Sequence, residues 1–76
     1  MTPKLPVITP KRLIRSLEKA GFFVHHQRGS HITMRHSDFP DRRVIIPCHS
    51  RDLKKGLLKG ILKDAGLTAE DLRELL

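Results

Sequence analysis

Seventy-six residues, with 15 Lys and Arg against 8 Asp and Glu and a net charge of +7, make one small domain. A chain this short buries only about 60% of its unfolded surface, which excludes a doubly wound nucleotide-binding fold, a TIM barrel and a deep cavity for a large cofactor. Hydrophobic residues at 38% against charged residues at 30% describe an ordinary globular protein, and the lone Cys48 excludes an internal disulfide. No apolar run approaches a membrane span and residues 1–6 do not resemble a signal peptide, so the expected location is cytoplasmic. The charge is uneven: residues 1–63 hold 14 basic and 4 acidic side chains, whereas beyond them Arg73 stands against Asp64, Glu70, Asp71 and Glu74. Such an excess points first to nucleic acid as partner, the alternative being a basic surface that only keeps the chain soluble.

In chain order, Thr9 and Pro10 open the first helix, Thr9 as N-cap and Pro10 at the first helical position, where a missing N–H costs nothing. Ile8 and Leu13 form a staple across that entry. Leu13, Ile14, Leu17 and Ala20 share one stripe, Lys11, Arg12, Arg15, Glu18 and Lys19 occupy the other, and Gly21 supplies a left-handed stop. Phe22–Arg28 reads as a strand with Phe22 and Val24 inward. Gly29 and Ser30 make a short turn, and His31–His36 alternates with Ile32, Met34 and His36 on one face and His31, Thr33 and Arg35 on the other. Residues 37–41 form a loop, and Val44, Ile45 and Ile46 form a third strand that Pro47 ends. A second helix is carried by Leu57, Leu58, Ile61, Leu62 and Ala65 up to Gly66, with Gly60 in its middle suggesting close packing against another backbone. Thr68 caps a third, short helix through a capping box with Asp71, Leu67 stapling to Leu72 and Leu75 and Leu76 giving an apolar side.

These elements predict an α+β fold: helix, three-stranded antiparallel meander, helix, short terminal helix. Residues 1–76 are expected to form one domain, with 1–8 an extension, 9–66 the core and 67–76 the terminal helix. The helices must cover one sheet face, leaving the other, with His31, Thr33 and Arg35, free for a ligand.

Five histidines need sorting. His25 and His26, adjacent on a strand, are expected on opposite faces and so not to share a metal, and Cys48 beside His49 lacks the second cysteine of a zinc pair. No metal and no cofactor is therefore expected. Cys48 as a catalytic thiol is set aside in favour of a buried or incidental cysteine. His31 stands apart because it follows Arg28, Gly29 and Ser30 at a turn. Glycine allows close backbone approach there, and N–H groups nearby can hold a phosphate oxygen. An imidazole can take a proton from an RNA 2′-hydroxyl or give one to a leaving 5′-oxygen, while surrounding cations stabilise the transition state. A lone strand histidine is more often structural or idle, and that is the reading the chemistry alone favours.

Residues 9–66 resemble the HicA toxin family of bacterial toxin–antitoxin systems. The matching stretches are Leu17, Glu18, Lys19, Ala20, Gly21 and Phe22; then Gly29, Ser30 and His31; then Ile46, Pro47, Cys48 and His49; then residues 53–67. The chain departs from the family pattern at Leu57, where Thr is frequent, and at Gly60. The resemblance implies a fold like that of double-stranded-RNA-binding domains and a cytoplasmic mRNA interferase, an endoribonuclease acting without a metal and held inactive by a HicB-type antitoxin. It implies that His31 is the catalytic histidine, whereas His49 aligns with a segment of less definite role. A single acid–base histidine without a carboxylate cluster also suits metal-free transfer better than two-metal hydrolysis. The expected RNA contacts are Arg28, Gly29, Ser30, Arg35, Lys54, Lys55 and Lys59, each of the cations being equally readable as a solvated charge. The rival readings are a non-catalytic RNA-binding module of the same fold and a domain whose basic face meets only an acidic protein.

Overall fold

The computed structural model describes residues 5–76; that part of the expected extension comprising residues 1–4 lies outside them. Six elements follow one another: α1 (Pro10–Lys19), β1 (Phe22–Arg28), β2 (His31–His36), β3 (Arg43–Pro47), α2 (Lys55–Ala65) and α3 (Ala69–Leu75). The strands form one antiparallel sheet in the order β1-β2-β3, so β2 is central. α1 packs against β1 and β3, α2 against β3, and α3 against α1, which sets the helices on one side of the sheet. This is the α+β arrangement resembling a double-stranded-RNA-binding domain that the sequence predicts. Among the described residues no helix is long and apolar enough to cross a membrane.

Local chemistry accounts for the helix ends. Thr9 Oγ1 accepts the Arg12 N–H at 3.4 Å and Pro10 occupies the first turn of α1. Thr68 and Asp71 form a reciprocal capping box on α3. α2 ends at Gly66 in the left-handed region, φ +73°. The core gathers Leu13 and Leu17 from α1, Phe22 from β1, Ile32 and Met34 from β2, Val44 and Ile46 from β3, Leu58, Ile61, Leu62 and Ala65 from α2, and Leu72 from α3. Ile8 is fully buried in the same cluster, and its carbonyl accepts the Leu53 N–H at 2.8 Å. Residues just before α1 are thereby tied to those just before α2.

Five sequence expectations change. Val24 faces the same side as Met34, its cross-strand partner, yet is 45% exposed. It lies on an edge strand just before a bulge between Val24 and His26, and a bulge bends its strand away from the layer beneath. The same bulge removes the alternation that would have put His25 and His26 on opposite faces. Leu57 is exposed rather than part of the apolar stripe of α2, which is narrowed to Leu58, Ile61, Leu62 and Ala65. Gly60 is not a point of close packing: a methyl group there would meet nothing within 4 Å. On α3 the buried residue is Leu72, and Leu76 is exposed.

The close approach occurs instead at Gly21. Its φ is +99°, and a Cβ there would lie 2.6 Å from Nε2 of His36. His36, 8% exposed, is held at both ring nitrogens: Nδ1 accepts the Asp38 N–H at 3.0 Å, so Nε2 carries the proton and donates to the Ala20 carbonyl at 2.7 Å. Phe22 meets the ring edge-on at 4.9 Å. The two glycines should therefore respond oppositely to alanine. Gly21→Ala is expected to lose about 2 kcal/mol or more through backbone strain and displacement of His36. Gly60→Ala, in a helix interior with open space, is expected to gain up to about 1 kcal/mol. Urea midpoints of the two variants check both signs.

Candidate nucleic-acid interface

The hairpin between β1 and β2 sets the site. Arg28 and His31 are cross-strand partners, leaving only Gly29 and Ser30 in the turn. Gly29 has φ +57° and Ser30, like every described non-glycine residue, does not have positive φ, the pattern of a type II′ turn, whose twist suits a two-residue hairpin. Space around Gly29 is open, so the backbone there is approachable from solvent. On the other side of β2, His31 pairs with Pro47, and the Ser30 carbonyl accepts the Cys48 N–H, extending the ladder one residue past His31.

β2 keeps strict alternation: Ile32, Met34 and His36 are buried, and His31, Thr33 and Arg35 face away from the helices. His31 is exposed, beside Arg28 on one neighbouring strand and Pro47 on the other. Arg35 shares that face but sits four residues along the strand, about 13 Å from His31 at the usual rise. The histidine turn and Arg35 are thus two places on one face. Lys54, Lys55 and Lys59 belong to another region, at the start of α2, reached from His31 through Pro47 and the 48–53 segment.

That segment gives His49 neighbours that sequence reasoning misses. His49 is exposed, with Nδ1 accepting the Arg51 N–H at 3.2 Å, so Nε2 is the nitrogen left to solvent. One depression joins His49 to Lys11 and Arg15 of α1, with Cys48 in its wall; another joins it to Arg51, Asp52 and Lys54. Lys11 and Arg15 are four apart on the polar face of α1, which was the available signal, but nothing local in the sequence says that His49 arrives opposite them. The Cys48 thiol is free and half-buried against the core. Among the described residues no three His, Cys, Asp or Glu side chains converge as metal ligands.

Electrostatics at the helix starts follow the same trend. α2 has no side-chain cap and no acid in its first turn, and Lys54 and Lys55 stand at that end; α1 likewise begins without an acid. Cations at a helix N-terminus oppose the macrodipole by a few tenths of a kcal/mol each, and the same arrangement favours an anion. α3, with Glu70 and Asp71 in its first turn, has the ordinary stabilising polarity.

Comparison with known proteins bears on this geometry. No curated protein matches the chain. A family model described as the HicA toxin of bacterial toxin–antitoxin systems matches residues 10–67. The match runs from the first residue of α1 past the left-handed cap of α2 and includes the turn, all three strands and the 48–53 segment. On that coverage the chain belongs to the HicA toxin family, whose members act as toxins paired with an antitoxin.

Proposed function

We propose that this toxin is a metal-independent endoribonuclease acting on mRNA, with His31 as its catalytic residue. The observation that carries the reading is the exposure of His31 on the uncovered sheet face, in cross-strand register with Arg28 at a two-residue turn. In the reaction the 2′-oxygen of a ribose attacks the adjacent phosphorus and the bond to the 5′-oxygen breaks. The products are a 2′,3′-cyclic phosphate and a free 5′-hydroxyl. A proton leaves the 2′-hydroxyl and one is delivered to the departing oxygen, and an imidazole serves at either place. Arg28, the Ser30 hydroxyl and the Gly29 backbone bind the phosphate group, and Arg28 offsets the charge that grows on it. Lys54, Lys55 and Lys59 hold the RNA backbone beyond the reacting group, and Arg35 does so at the far end of the sheet face.

The partner is a HicB-type antitoxin. Acidic groups able to cover the cationic surface would suit it, because complementary charge both speeds association and excludes RNA. A second reading, a non-catalytic RNA-binding module, is favoured by the fold alone, since domains of this shape bind RNA through backbone and groove contacts without chemistry.

The two readings separate on a purified transcript. His31→Ala is expected to abolish cleavage while the circular dichroism spectrum and most of the RNA affinity remain. Full activity in that variant would overturn the assignment, and binding without product in the wild type would favour the module. Cleavage is also expected to persist in excess EDTA. Replacing Lys54, Lys55 and Lys59 together by Ala should weaken RNA binding and lower the slope of log affinity against log salt, by about one for each phosphate no longer neutralised. An unchanged slope would remove those lysines from the interface.

A further inference from the structure

The outer sheet face carries a second cluster that the chemistry at His31 leaves unused. Its residues fall into cross-strand rows: Arg28, His31 and Pro47; then His26, Thr33 and Ile45; then Phe23, Arg35 and Arg43. The three strands contain no acidic residue. In the last row Phe23 leaves 43% of its surface exposed, with the His25 ring 6.4 Å away and their planes at 73°. Arg35 and Arg43 are direct cross-strand partners, a like-charge pair that destabilises a sheet. Nε of Arg35 is buried without an acceptor, which leaves a cationic donor unsatisfied in the free protein.

These three features share one remedy. An anion across Arg35 and Arg43 would relieve their repulsion and, with the Arg35 side chain turned outward to expose its buried Nε, supply the missing acceptor, and a flat apolar group would cover Phe23. A nucleotide offers both at once. We propose that Phe23, Arg35 and Arg43 form a base-stacking and phosphate-binding subsite for unpaired RNA. A base lies on the Phe23 ring and its phosphate lies between the two arginines, about 13 Å along β2 from His31. The proposal rests on the reading of this toxin as an RNA binder and adds the class of RNA that the sheet face selects. A ring on a sheet face reaches only a base that has left its stack. An A-form duplex hides base faces and presents 2′-hydroxyls and phosphates. An acidic protein would satisfy the arginines but has no need of the ring.

The test uses His31→Ala as the parent, so that RNA stays intact, with a short labelled single-stranded RNA and a duplex of the same sequence as probes. Phe23→Ala is expected to weaken single-strand binding roughly ten-fold, the size of one base–aromatic stack, and to leave duplex binding unchanged. Phe23→Leu, which keeps apolar bulk without a π face, should lose nearly as much. Arg43→Ala should lower the salt slope by about one. Thermal melting and circular dichroism report whether each variant is folded, and Phe23 ring proton signals in the parent should move upfield on adding the single strand.

Equal affinity of parent and both Phe23 variants would overturn the subsite. So would full rescue by Phe23→Leu, an equal loss on the duplex, or an equal loss of binding to polyglutamate. A wild-type protein that fails to cleave RNA while Phe23-dependent binding persists would support the subsite and overturn only the role given to His31.

Discussion

The alternation of β2 is the constraint from which the rest follows. It is the central strand, paired on both edges, and its six residues divide evenly between a buried set and a set facing away from the helices. A slip of one residue would send His31, Thr33 and Arg35 into the core and bring Ile32 and Met34 to the surface. Both ends of the strand hold it against such a slip. At the start, the Gly29 turn fixes the pairing of Arg28 with His31, because a two-residue hairpin admits few registers. At the end, His36 is bonded through both ring nitrogens to the backbone of Ala20 and Asp38 and lies against Gly21, where no side chain could fit. One histidine thus serves the fold and the other faces solvent, and their separation by five positions puts them on opposite sides of the sheet.

The features legible in the sequence are those decided by neighbours along the chain. Capping by Thr9 and Thr68, the proline entry of α1, the glycine exits and the period of β2 depend on residues at most a few positions apart, so short-range chemistry is enough to read them. The misread features depend on what lies across from a residue. Val24 has the right period for a core position, but the bulge after it and its place on an edge strand leave it uncovered. Leu57 fits a helical stripe by spacing, yet the part of α2 it occupies faces outward beside Gly56 and Gly60. Gly60 invited an argument from close packing that its open surroundings do not support. His49 is the counterpart in the site. Its approach to Lys11 and Arg15 is made by a loop joining distant parts of the chain, and no periodicity encodes it.

The distribution of charge shows the protein giving up stability for a surface. Arg35 beside Arg43, and the lysines at an uncapped helix start, are each unfavourable in the isolated molecule. Of the acids, Glu70 and Asp71 complete a cap at the start of α3 and Asp38 and Asp41 lie in the loop after β2, so that among the described residues only Asp52, in one depression with Lys54, and Asp64, in one depression with Arg43, stand near these cations. Local conflicts of this kind, in a chain whose other choices agree with its fold, are a sign of function rather than of poor packing.

The same reasoning limits where RNA is to be sought. A fold resembling a double-stranded-RNA-binding domain suggests recognition through helix and loop surfaces, and the cationic start of α2 suits that mode. The outer sheet face, however, has no helix over it among the described residues and holds His31, Phe23 and the arginine pair together. Cleavage by a 2′-hydroxyl requires the attacking oxygen, the phosphorus and the leaving oxygen to come into line, a geometry that the regular A-form backbone does not hold. A surface that draws a base out of its stack frees the adjoining sugar–phosphate to adopt that geometry. Selection of unpaired RNA and catalysis at His31 would then be two consequences of one uncovered face.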